Sequence, residues 1–485
     1  MKTRLLRILL AVFVISLTVG ADIPAEANNE MPWSTFLGGS GYDNVHGIAV
    51  DSIGNVYITG DSGATWGNPV SPYVRNSDCF VAKLNSSGVL QWNTFLGGSD
   101  YDCGYGIAVD SSGNIYVAGY SGDTWGNPVR TYTGNYDAFA AKLDSNGALK
   151  WNTFLGGSEY DLGNGLAVDA SGNLYVIGQS DAAWGNPVRA YTVNTDAFAA
   201  KVDSSGALLW NTFLGGSSLD CGYGIAMDSG GNIYVDGYSG NTWGSPVSAF
   251  TGSVDAFAAK LDSNGVLQWN TFLGGTSSDY GYSIAVDSFG NVYVTGLSNA
   301  TWGSPARAYT DTGHTDAFAA KLDSSGVLQW TTFLGGNSSD CGYGVAADSS
   351  SNVYVTGFSN ATWGSPIRAV TGGGDAFAAK LDNSGALLWN TFLGGTSSDY
   401  GYAIAVDSGG NIYVAGYSSA TWGNPIREYT GNGDAFVAKL ESNGSLEAPV
   451  IPPVPELPAG ILLGIGIVGT GAFILIRRKK ATNSM

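Results

Sequence analysis

The stretch that decides the fold is Trp92-Asn93-Thr94-Phe95-Leu96-Gly97-Gly98, which recurs with small variations along the chain. Seven copies begin at Trp33, Trp92, Trp151, Trp210, Trp269, Trp330 and Trp389, so the interval is 59 residues, with a single one of 61. A self-similar unit of this length is typical of repeat folds, in which each unit packs against its neighbours. The number and spacing of the copies therefore predict one body of seven structural units, over residues 28–446.

Each unit reads as four short β-strands separated by turn and loop residues. In the second unit, residues 106–110 and 115–119 are apolar runs joined by a tight-turn sequence, and residues 137–143 and 148–155 follow a long loop. The body shows no sustained 3.6-residue apolar period, so we expect no helix there. Seven units of four antiparallel strands predict an all-β, seven-bladed β-propeller.

The units are out of phase with the blades that they would form. The first copy, Trp33 to Leu37, stands alone as a fourth strand, whereas the last unit ends after its third strand at Leu440. Closing the ring removes the exposed strand edges that would otherwise remain. We therefore expect the N-terminal strand to complete the last blade.

The two ends of the chain predict export and attachment to a membrane. Basic residues at the start, an apolar run to Val19 and small-residue cleavage sites indicate a signal peptide over residues 1–27. A proline-rich linker, 447–458, leads to an uncharged stretch, 459–476, that is long enough for one transmembrane helix. The basic tail, 477–485, places that end inside, so the body would be extracellular and held at the cell surface.

The C-terminal segment resembles the PEP-CTERM sorting signals that exosortases and archaeosortases read. The resemblance rests on Pro455-Glu456-Leu457-Pro458, the apolar stretch and the basic cluster that follows it. It implies that a sorting enzyme removes the apolar stretch. A plain single-pass transmembrane anchor is the alternative.

The repeat itself resembles the SBBP β-propeller repeat, and its core is similar to NHL repeats. The residues that carry the resemblance are Phe95-Leu96-Gly97-Gly98, Asp102, Gly106-Ile107-Ala108-Val109-Asp110, Gly113-Asn114-Ile115-Tyr116-Val117 and Asp137-Ala138-Phe139. The resemblance implies a propeller of the kind found in exported proteins of bacteria and archaea. It implies no particular biochemical role.

Charge and cysteine content narrow the class of partner. Between Arg7 and Arg477 the chain carries 14 basic and 40 acidic residues, a charge of −26. This excludes nucleic acid and anionic lipid surfaces as partners of the body, since both require clustered Lys and Arg. The four cysteines are expected to be buried free thiols, with a bridge between Cys79 and Cys103 as the alternative.

The candidate binding residues lie in the long loops, which antiparallel order places on one face of the ring. Tryptophan and arginine in these loops would bind sugars by stacking and paired hydrogen bonds. Packing of the tryptophans between blades is the alternative. The acids that begin the third strands, Asp78 before Cys-Phe and its counterparts before Ala-Phe, are expected to bind backbone amides, and Asp110 and its equivalents to hold tight turns. The predicted ligand-binding residues are Trp66, Trp125, Trp184, Trp243, Trp302, Trp363, Trp422, Arg130, Arg189, Arg307, Arg368 and Arg427.

No catalytic or cofactor motif is evident. The two histidines, His46 and His314, are isolated and are expected to be solvated loop residues. Calcium binding stays open because of the acidity, although no EF-hand loop occurs. We therefore expect a non-catalytic binding or structural scaffold that contacts cell-surface polysaccharide or a surface protein. The alternative is an exported polysaccharide lyase or glycoside hydrolase with its site at the propeller mouth.

Overall fold

A computed structural model describes residues 32–310 and 313–446 of the protein. Within these residues, 28 strands form seven four-stranded antiparallel sheets, and each sheet is one blade. This confirms the predicted all-β, seven-bladed propeller. The strands are, in blade 1, β2 (Asp43–Val50), β3 (Val56–Ser62), β4 (Asp78–Leu84) and β5 (Leu90–Leu96); in blade 2, β6 (Asp102–Val109), β7 (Ile115–Ser121), β8 (Asp137–Leu143) and β9 (Leu149–Leu155); in blade 3, β10 (Asp161–Val168), β11 (Leu174–Ser180), β12 (Asp196–Val202) and β13 (Leu208–Leu214); in blade 4, β14 (Asp220–Met227), β15 (Ile233–Ser239), β16 (Asp255–Leu261) and β17 (Leu267–Leu273); in blade 5, β18 (Asp279–Val286), β19 (Val292–Ser298), β20 (Asp316–Leu322) and β21 (Leu328–Leu334); in blade 6, β22 (Asp340–Ala347), β23 (Val353–Ser359), β24 (Asp375–Leu381) and β25 (Leu387–Leu393); and in blade 7, β26 (Asp399–Val406), β27 (Ile412–Ser418), β28 (Asp434–Leu440) and β1 (Trp33–Leu37).

The predicted features of the chain ends lie outside the described residues. These are the signal peptide (1–27), the proline-rich linker (447–458), the apolar helix (459–476) and the basic tail (477–485). Among the described residues, no helix is long and apolar enough to cross a membrane. Export and anchoring therefore stay predictions.

The first strand of each blade is longer than the apolar pattern predicts. In blade 2, β6 begins at Asp102 rather than at Gly106. A register shift between Gly104 and Gly106 lets the chain continue its pairing with β7 until Asp102 lies opposite Ser121. This extension brings the aspartate of every Gly-Gly loop into a strand.

The N-terminal strand closes the ring, as predicted. β1 pairs with β28 over five residues, from Trp33 opposite Lys439 to Leu37 opposite Ala435. The backbone N–H of Ile426 donates to the carbonyl of Ser34 at 2.8 Å. Blade 7 is thus built from residues near both ends of the propeller.

The core lies between neighbouring blades. Tyr57 and Val81 of blade 1, for example, share one buried cluster with Ile115 and Phe139 of blade 2. All four cysteines are buried and free, which confirms the expectation of unpaired thiols and leaves Cys79 and Cys103 unbridged. Stability therefore comes from apolar burial between blades.

The two faces of the ring differ. The first strands are innermost and line a central channel of about 190 Å³. One side, the turn face, carries tight turns such as 110–114, where Asp110 accepts the backbone N–H groups of Ser112 and Asn114 at 2.9 Å, as predicted. The other side, the loop face, carries the long loops equivalent to 63–77 and 97–101.

Glycine is required in the second tight turn of blade 2. Gly147 has φ +82°, and a Cβ there would lie 2.8 Å from the ring of Trp92 in blade 1. The indole Nε1–H of Trp92 donates to the carbonyl of Ser145 in the same turn at 3.2 Å. The tryptophan that begins the recurrent stretch therefore joins its blade to the next one at the turn face.

Candidate functional site

The loop-face tryptophans that we predicted as sugar-binding residues are enclosed. In blade 1, the indole Nε1–H of Trp66 donates to Ser62 Oγ at 3.2 Å, and its ring meets Phe80 edge-on with centroids 5.3 Å apart. The Asn93 side-chain amide donates to the carbonyl of Trp66 at 2.8 Å. Burial of this kind fits the alternative, packing, and leaves no ring face for a sugar. All seven are between 4% and 7% exposed: Trp66, Trp125, Trp184, Trp243, Trp302, Trp363 and Trp422.

The predicted arginines bind the protein's own backbone. Arg130 donates to the carbonyls of Phe154 at 2.8 Å and Gly156 at 2.6 Å, and its guanidinium lies 5.6 Å from the ring centroid of Trp184 in blade 3. The same cation–π contact to the next blade links Arg189 with Trp243, Arg307 with Trp363 and Arg427 with Trp66. Arg368 makes the same two backbone bonds, to Phe392 and Gly394. These side chains join blades and do not fit the predicted sugar-binding role.

A buried carboxyl group lies beneath each Gly-Gly turn. Asp43 accepts the backbone N–H of Gly39 at 2.9 Å and is hydrogen-bonded to Ser62. Burial raises the pKa of Asp43 to about 7, although the bond to Ser62 opposes the rise. Its counterparts have pKa values raised by burial to about 6 or 7: Asp102, Asp161, Asp220, Asp279, Asp340 and Asp399.

The hydrogen bonds around Ser62 can accommodate a proton on Asp43. The Ser62 hydroxyl has a single proton, yet it faces both Asp43 and the carbonyl of Ala64, at 2.8 Å from the latter. If Asp43 carries a proton, it donates to Ser62 Oγ and the hydroxyl donates to Ala64. The arrangement is a structural support for the loop. Asp78 plays a related role at the start of β4, where it accepts the backbone N–H of Val74 at 2.6 Å, as predicted.

One position of the innermost strands projects into the channel in every blade. Five of the seven residues at this position are tyrosines, namely Tyr105, Tyr223, Tyr282, Tyr343 and Tyr402. The other two are His46 and Asn164. The ring of His46 lies 4.6 Å from that of Tyr105 and 5.5 Å from that of Tyr402. Our prediction that His46 is a solvated loop residue is wrong, because the residue lies within β2 and is half-buried.

His46 belongs to a polar cluster between blades 1 and 2. Its Nε2 lies 3.0 Å from Asp61 Oδ1, and Cys103 Sγ lies 3.8 Å from the same oxygen. Asn44 Nδ2 and Ser77 Oγ donate to the Asp61 carboxylate at about 3.3 Å. Burial opposes ionisation of Asp61, but the bonds from His46, Asn44 and Ser77 outweigh it and hold its pKa below the ordinary value. Burial raises the pKa of Cys103 well above that of an exposed thiol.

This cluster lines a pocket of about 470 Å³ on the loop face. Tyr42, Tyr101 and Tyr120 form part of its wall, with Asn76 and Ser77 from the β3–β4 loop. The pocket therefore combines aromatic rings, hydrogen-bonding groups and one ionised carboxylate. Such a combination is typical of ligand sites.

Comparison with known proteins supports the fold and the repeat. Matches to the SBBP β-propeller repeat cover residues 33–65, 91–127, 150–183, 268–301, 329–362 and 388–421. The chain carries SBBP β-propeller repeats.

Two curated relatives of the SBBP propeller are themselves much longer. An uncharacterised WD repeat-containing protein, L264, of Acanthamoeba polyphaga mimivirus is 22% identical over 444 residues, 79% of this chain and 30% of the relative. The regulatory protein FlaEY of Caulobacter vibrioides is 25% identical over 327 residues, 60% of this chain and 33% of the relative. The chain thus spans about a third of the length of these relatives.

Two solved structures share only a broad likeness with the chain. Sqt1 from Chaetomium thermophilum has a TM-score of 0.41 and 13% identity, covering 80% of this chain and 82% of Sqt1. The WD40 domain of Pan2 from Neurospora crassa has a TM-score of 0.38 and 9% identity, covering 69% of this chain and 88% of that domain. Scores at this level carry no argument about function.

The residues that sequence reasoning missed in the SBBP propeller are those that depart from the repeat. Asp61 stands where the other blades have Tyr120, Gln179, Tyr238, Leu297, Phe358 and Tyr417. His46 likewise replaces a channel tyrosine. Each departure is visible when the seven units are compared position by position, but their proximity to Cys103 is a property of the ring.

Proposed function

We propose that the SBBP propeller is an exported, non-catalytic binding scaffold, held at the cell surface by its C-terminal segment, that binds a neutral polysaccharide. The binding surface is the loop face of blades 1 to 3. One observation carries the proposal: Tyr42, Tyr101 and Tyr160, which precede the first strands of these blades, are 65%, 52% and 50% exposed. The same position in blades 5 to 7 is serine, so the aromatic surface is confined to one side of the ring.

The exposed rings continue inward as a chain of aromatic contacts, the aromatic track, formed by Tyr105, Tyr120, Tyr136 and Tyr160. Tyr136 stacks on Tyr160 with centroids 5.7 Å apart and planes at 19°. Tyr120 meets Tyr136 at 5.5 Å, and Tyr105 lies 5.9 Å from Tyr120. The track therefore runs from the channel to the surface of blade 3.

Tyrosine rings suit a sugar chain because each offers an apolar face and a hydroxyl group on the same side chain. The pocket beside the track adds Asn76 and Ser77 as hydrogen-bonding groups. The acidic body, with a charge of −26 between Arg7 and Arg477, favours a neutral polysaccharide over an anionic one. A surface-held protein would meet such polymers at the cell envelope.

Serine substitutions test the binding surface without importing a foreign residue. Tyr101→Ser and Tyr160→Ser introduce the side chain that blades 5 to 7 carry at this position, so the fold should be retained. The purified protein is screened on a glycan array, and the affinity for the best neutral polysaccharide is then measured by calorimetry. We expect the double variant to bind about 5- to 150-fold more weakly, from the loss of two stacking contacts of about 0.5–1.5 kcal/mol each.

Leu209→Ser is the matched control, because Leu209 is 54% exposed on an outer strand of blade 3. Its affinity should equal that of the unaltered protein. Equal affinity in the tyrosine double variant would contradict the binding surface. A silent array together with specific capture of a surface protein would replace the polysaccharide with a protein partner.

The anchor is tested separately by mass spectrometry of the mature C-terminus. A mature chain that retains residues 459–476 would support a transmembrane anchor, and a chain that ends before them would support processing by a sorting enzyme. Recovery of the protein only in the cytoplasmic fraction would contradict export.

A further inference from the structure

We propose that His46, Asp61 and Cys103 bind a divalent transition-metal ion of the zinc class at the floor of the pocket between blades 1 and 2. The proposal concerns a different ligand from the polysaccharide and does not depend on it. It stands on the donor set, on the spacing of the donor atoms and on the departure of these residues from the repeat.

The donor set is one that zinc prefers. Imidazole nitrogen, thiolate sulfur and carboxylate oxygen are its three protein ligand types, at about 2.0–2.1, 2.3 and 2.0–2.2 Å from the metal. His46 Nε2, Asp61 Oδ1 and Cys103 Sγ all lie within 4.8 Å of one another. Tetrahedral coordination at those bond lengths separates the donors by roughly 3.3–3.7 Å. The His46–Asp61 and Asp61–Cys103 pairs, at 3.0 Å and 3.8 Å, lie on either side of this range, and the His46–Cys103 pair lies within 4.8 Å, so the three side chains must adjust when the metal binds.

Charge balance favours the metal in this half-buried setting. His46 binds through Nε2 as a neutral imidazole with its proton on Nδ1, and the Cys103 thiol releases its proton to solvent as the Zn–S bond forms. A dication with one thiolate and one carboxylate has no net charge. The metal therefore leaves no net charge at this half-buried site.

Neighbouring groups hold two of the three ligands in place. Asn44 and Ser77 donate to the Asp61 carboxylate. The ring of Tyr105 lies 4.6 Å from that of His46. Such outer contacts orient metal ligands and raise affinity. Three protein ligands leave a fourth coordination position, which opens to the pocket and suits a water molecule or an oxygen of a bound ligand.

The repeat supplies an internal comparison. Cys221 and Cys341 occupy the position of Cys103 in blades 4 and 6. The positions equivalent to His46 and Asp61 are Asn164 and Gln179 in blade 3, and Tyr282 and Leu297 in blade 5. Within the described residues, the gap between blades 1 and 2 alone brings His, Asp and Cys together.

Metal titration of the purified, chelator-treated protein tests the site, with a non-thiol reductant present. Calorimetry with Zn²⁺ should show one site per chain. Titration with Co²⁺ should produce the near-ultraviolet charge-transfer absorption of a cobalt–thiolate bond. The absence of stoichiometric binding in the unaltered protein would overturn the proposal, whatever the variants do.

The variants take their residues from other blades. Cys103→Tyr and Asp61→Tyr should each weaken Zn²⁺ binding at least about a hundredfold, and Cys103→Tyr should also abolish the Co²⁺ absorption. Asn44→Leu, the residue of blade 3, should weaken binding about tenfold, as expected for an outer contact. Cys221→Tyr is the matched control and should change neither affinity nor spectrum. Unchanged binding in Cys103→Tyr, or loss of the absorption in Cys221→Tyr, would contradict the assignment.

Discussion

Removal of β1 is the sharpest test of how the ring is held closed. Deleting Trp33 to Leu37 removes three buried apolar side chains, of which Phe36 and Leu37 are wholly enclosed and Trp33 is 8% exposed. Arg427 of blade 7 also loses one acceptor, the carbonyl of Phe36 at 2.9 Å, and its second acceptor, the carbonyl of Gly38 at 2.6 Å, is no longer held in place by a strand. Blade 7 would then expose the edge of β28.

The magnitude follows from these contacts. Burial of an apolar side chain contributes about 1.5–3 kcal/mol, so the three side chains contribute about 5–9 kcal/mol. The unsatisfied Arg427 guanidinium adds about 2–3 kcal/mol. An unfolding entropy of about 2.1 cal/mol/K per residue gives roughly 0.9 kcal/mol/K for a propeller of this length. We therefore expect the free energy of unfolding to fall by about 7–12 kcal/mol and the Tm to fall by about 8–13 °C.

Differential scanning calorimetry of the deletion variant measures this change, and Phe213→Ala is the reference. Phe213 is the equivalent of Phe36 in blade 3, where the fourth strand, β13, directly follows the other three strands in the chain. Replacing Phe213 with alanine should lower the free energy of unfolding by about 3–5 kcal/mol. A synthetic peptide of residues 28–40 should restore part of the lost Tm. If the deletion lowers the Tm no further than Phe213→Ala does, the N-terminal strand does not close the ring.

Two further predictions concern the interfaces between blades. Arg189→Ser, the residue of blades 1 and 4, should lower the free energy of unfolding by about 1.5–3 kcal/mol in denaturant titration, because Arg189 donates to the carbonyls of Phe213 and Gly215 and lies over Trp243; a change like that of exposed Leu209→Ser would contradict the blade-joining role. Asp236→Thr introduces the residue that blades 1, 5 and 6 carry at this position, and it should stabilise the protein by about 1–3 kcal/mol at pH 8. The reason is that a threonine hydroxyl at this position can donate to a strand carbonyl, as Thr59 does to Phe80 at 2.9 Å in blade 1. Burial raises the pKa of Asp236 well above 3.8, so its stability contribution is present below pH 3.8 and is lost as the pH rises. The stabilisation gained from Asp236→Thr should therefore be smaller at pH 4 than at pH 8. An equal gain at both pH values would refute the conclusion that Asp236 is protonated in the folded protein.

The fold could be predicted because one phrase carries several local signals in phase. Trp92-Asn93-Thr94-Phe95-Leu96 contains the apolar and β-branched residues of a strand, and Gly97-Gly98 marks its end. Repetition turns this local prediction into a ring, and the unmatched first copy predicts the closure. The additional strand pairing that places Asp102 opposite Ser121 could not be predicted, because it depends on a register shift between Gly104 and Gly106.

The candidate site was less predictable, and Trp66 shows why. A tryptophan in a long loop fits ligand binding and packing between blades equally well. Only the structure shows that Ser62, Asn93 and Phe80 enclose it. The proximity of His46, Asp61 and Cys103 could not be predicted for a different reason. These residues are separated in the sequence, and they come together only because the ring places blade 1 beside blade 2.

Repetition divides the surface into positions that must be alike and positions that are free to differ. Trp66 and its counterparts pack at the same place in every blade, and in five blades an asparagine equivalent to Asn93 donates to the tryptophan carbonyl, so a substitution there affects closure of the ring. The positions of Tyr42, His46 and Asp61 face the loop side or the channel, and their residues vary among blades. Binding specificity can arise only where variation leaves the interfaces intact. The pocket between blades 1 and 2 is lined by several of these variable positions, so it brings together unlike residues that a ring of identical repeats could not provide.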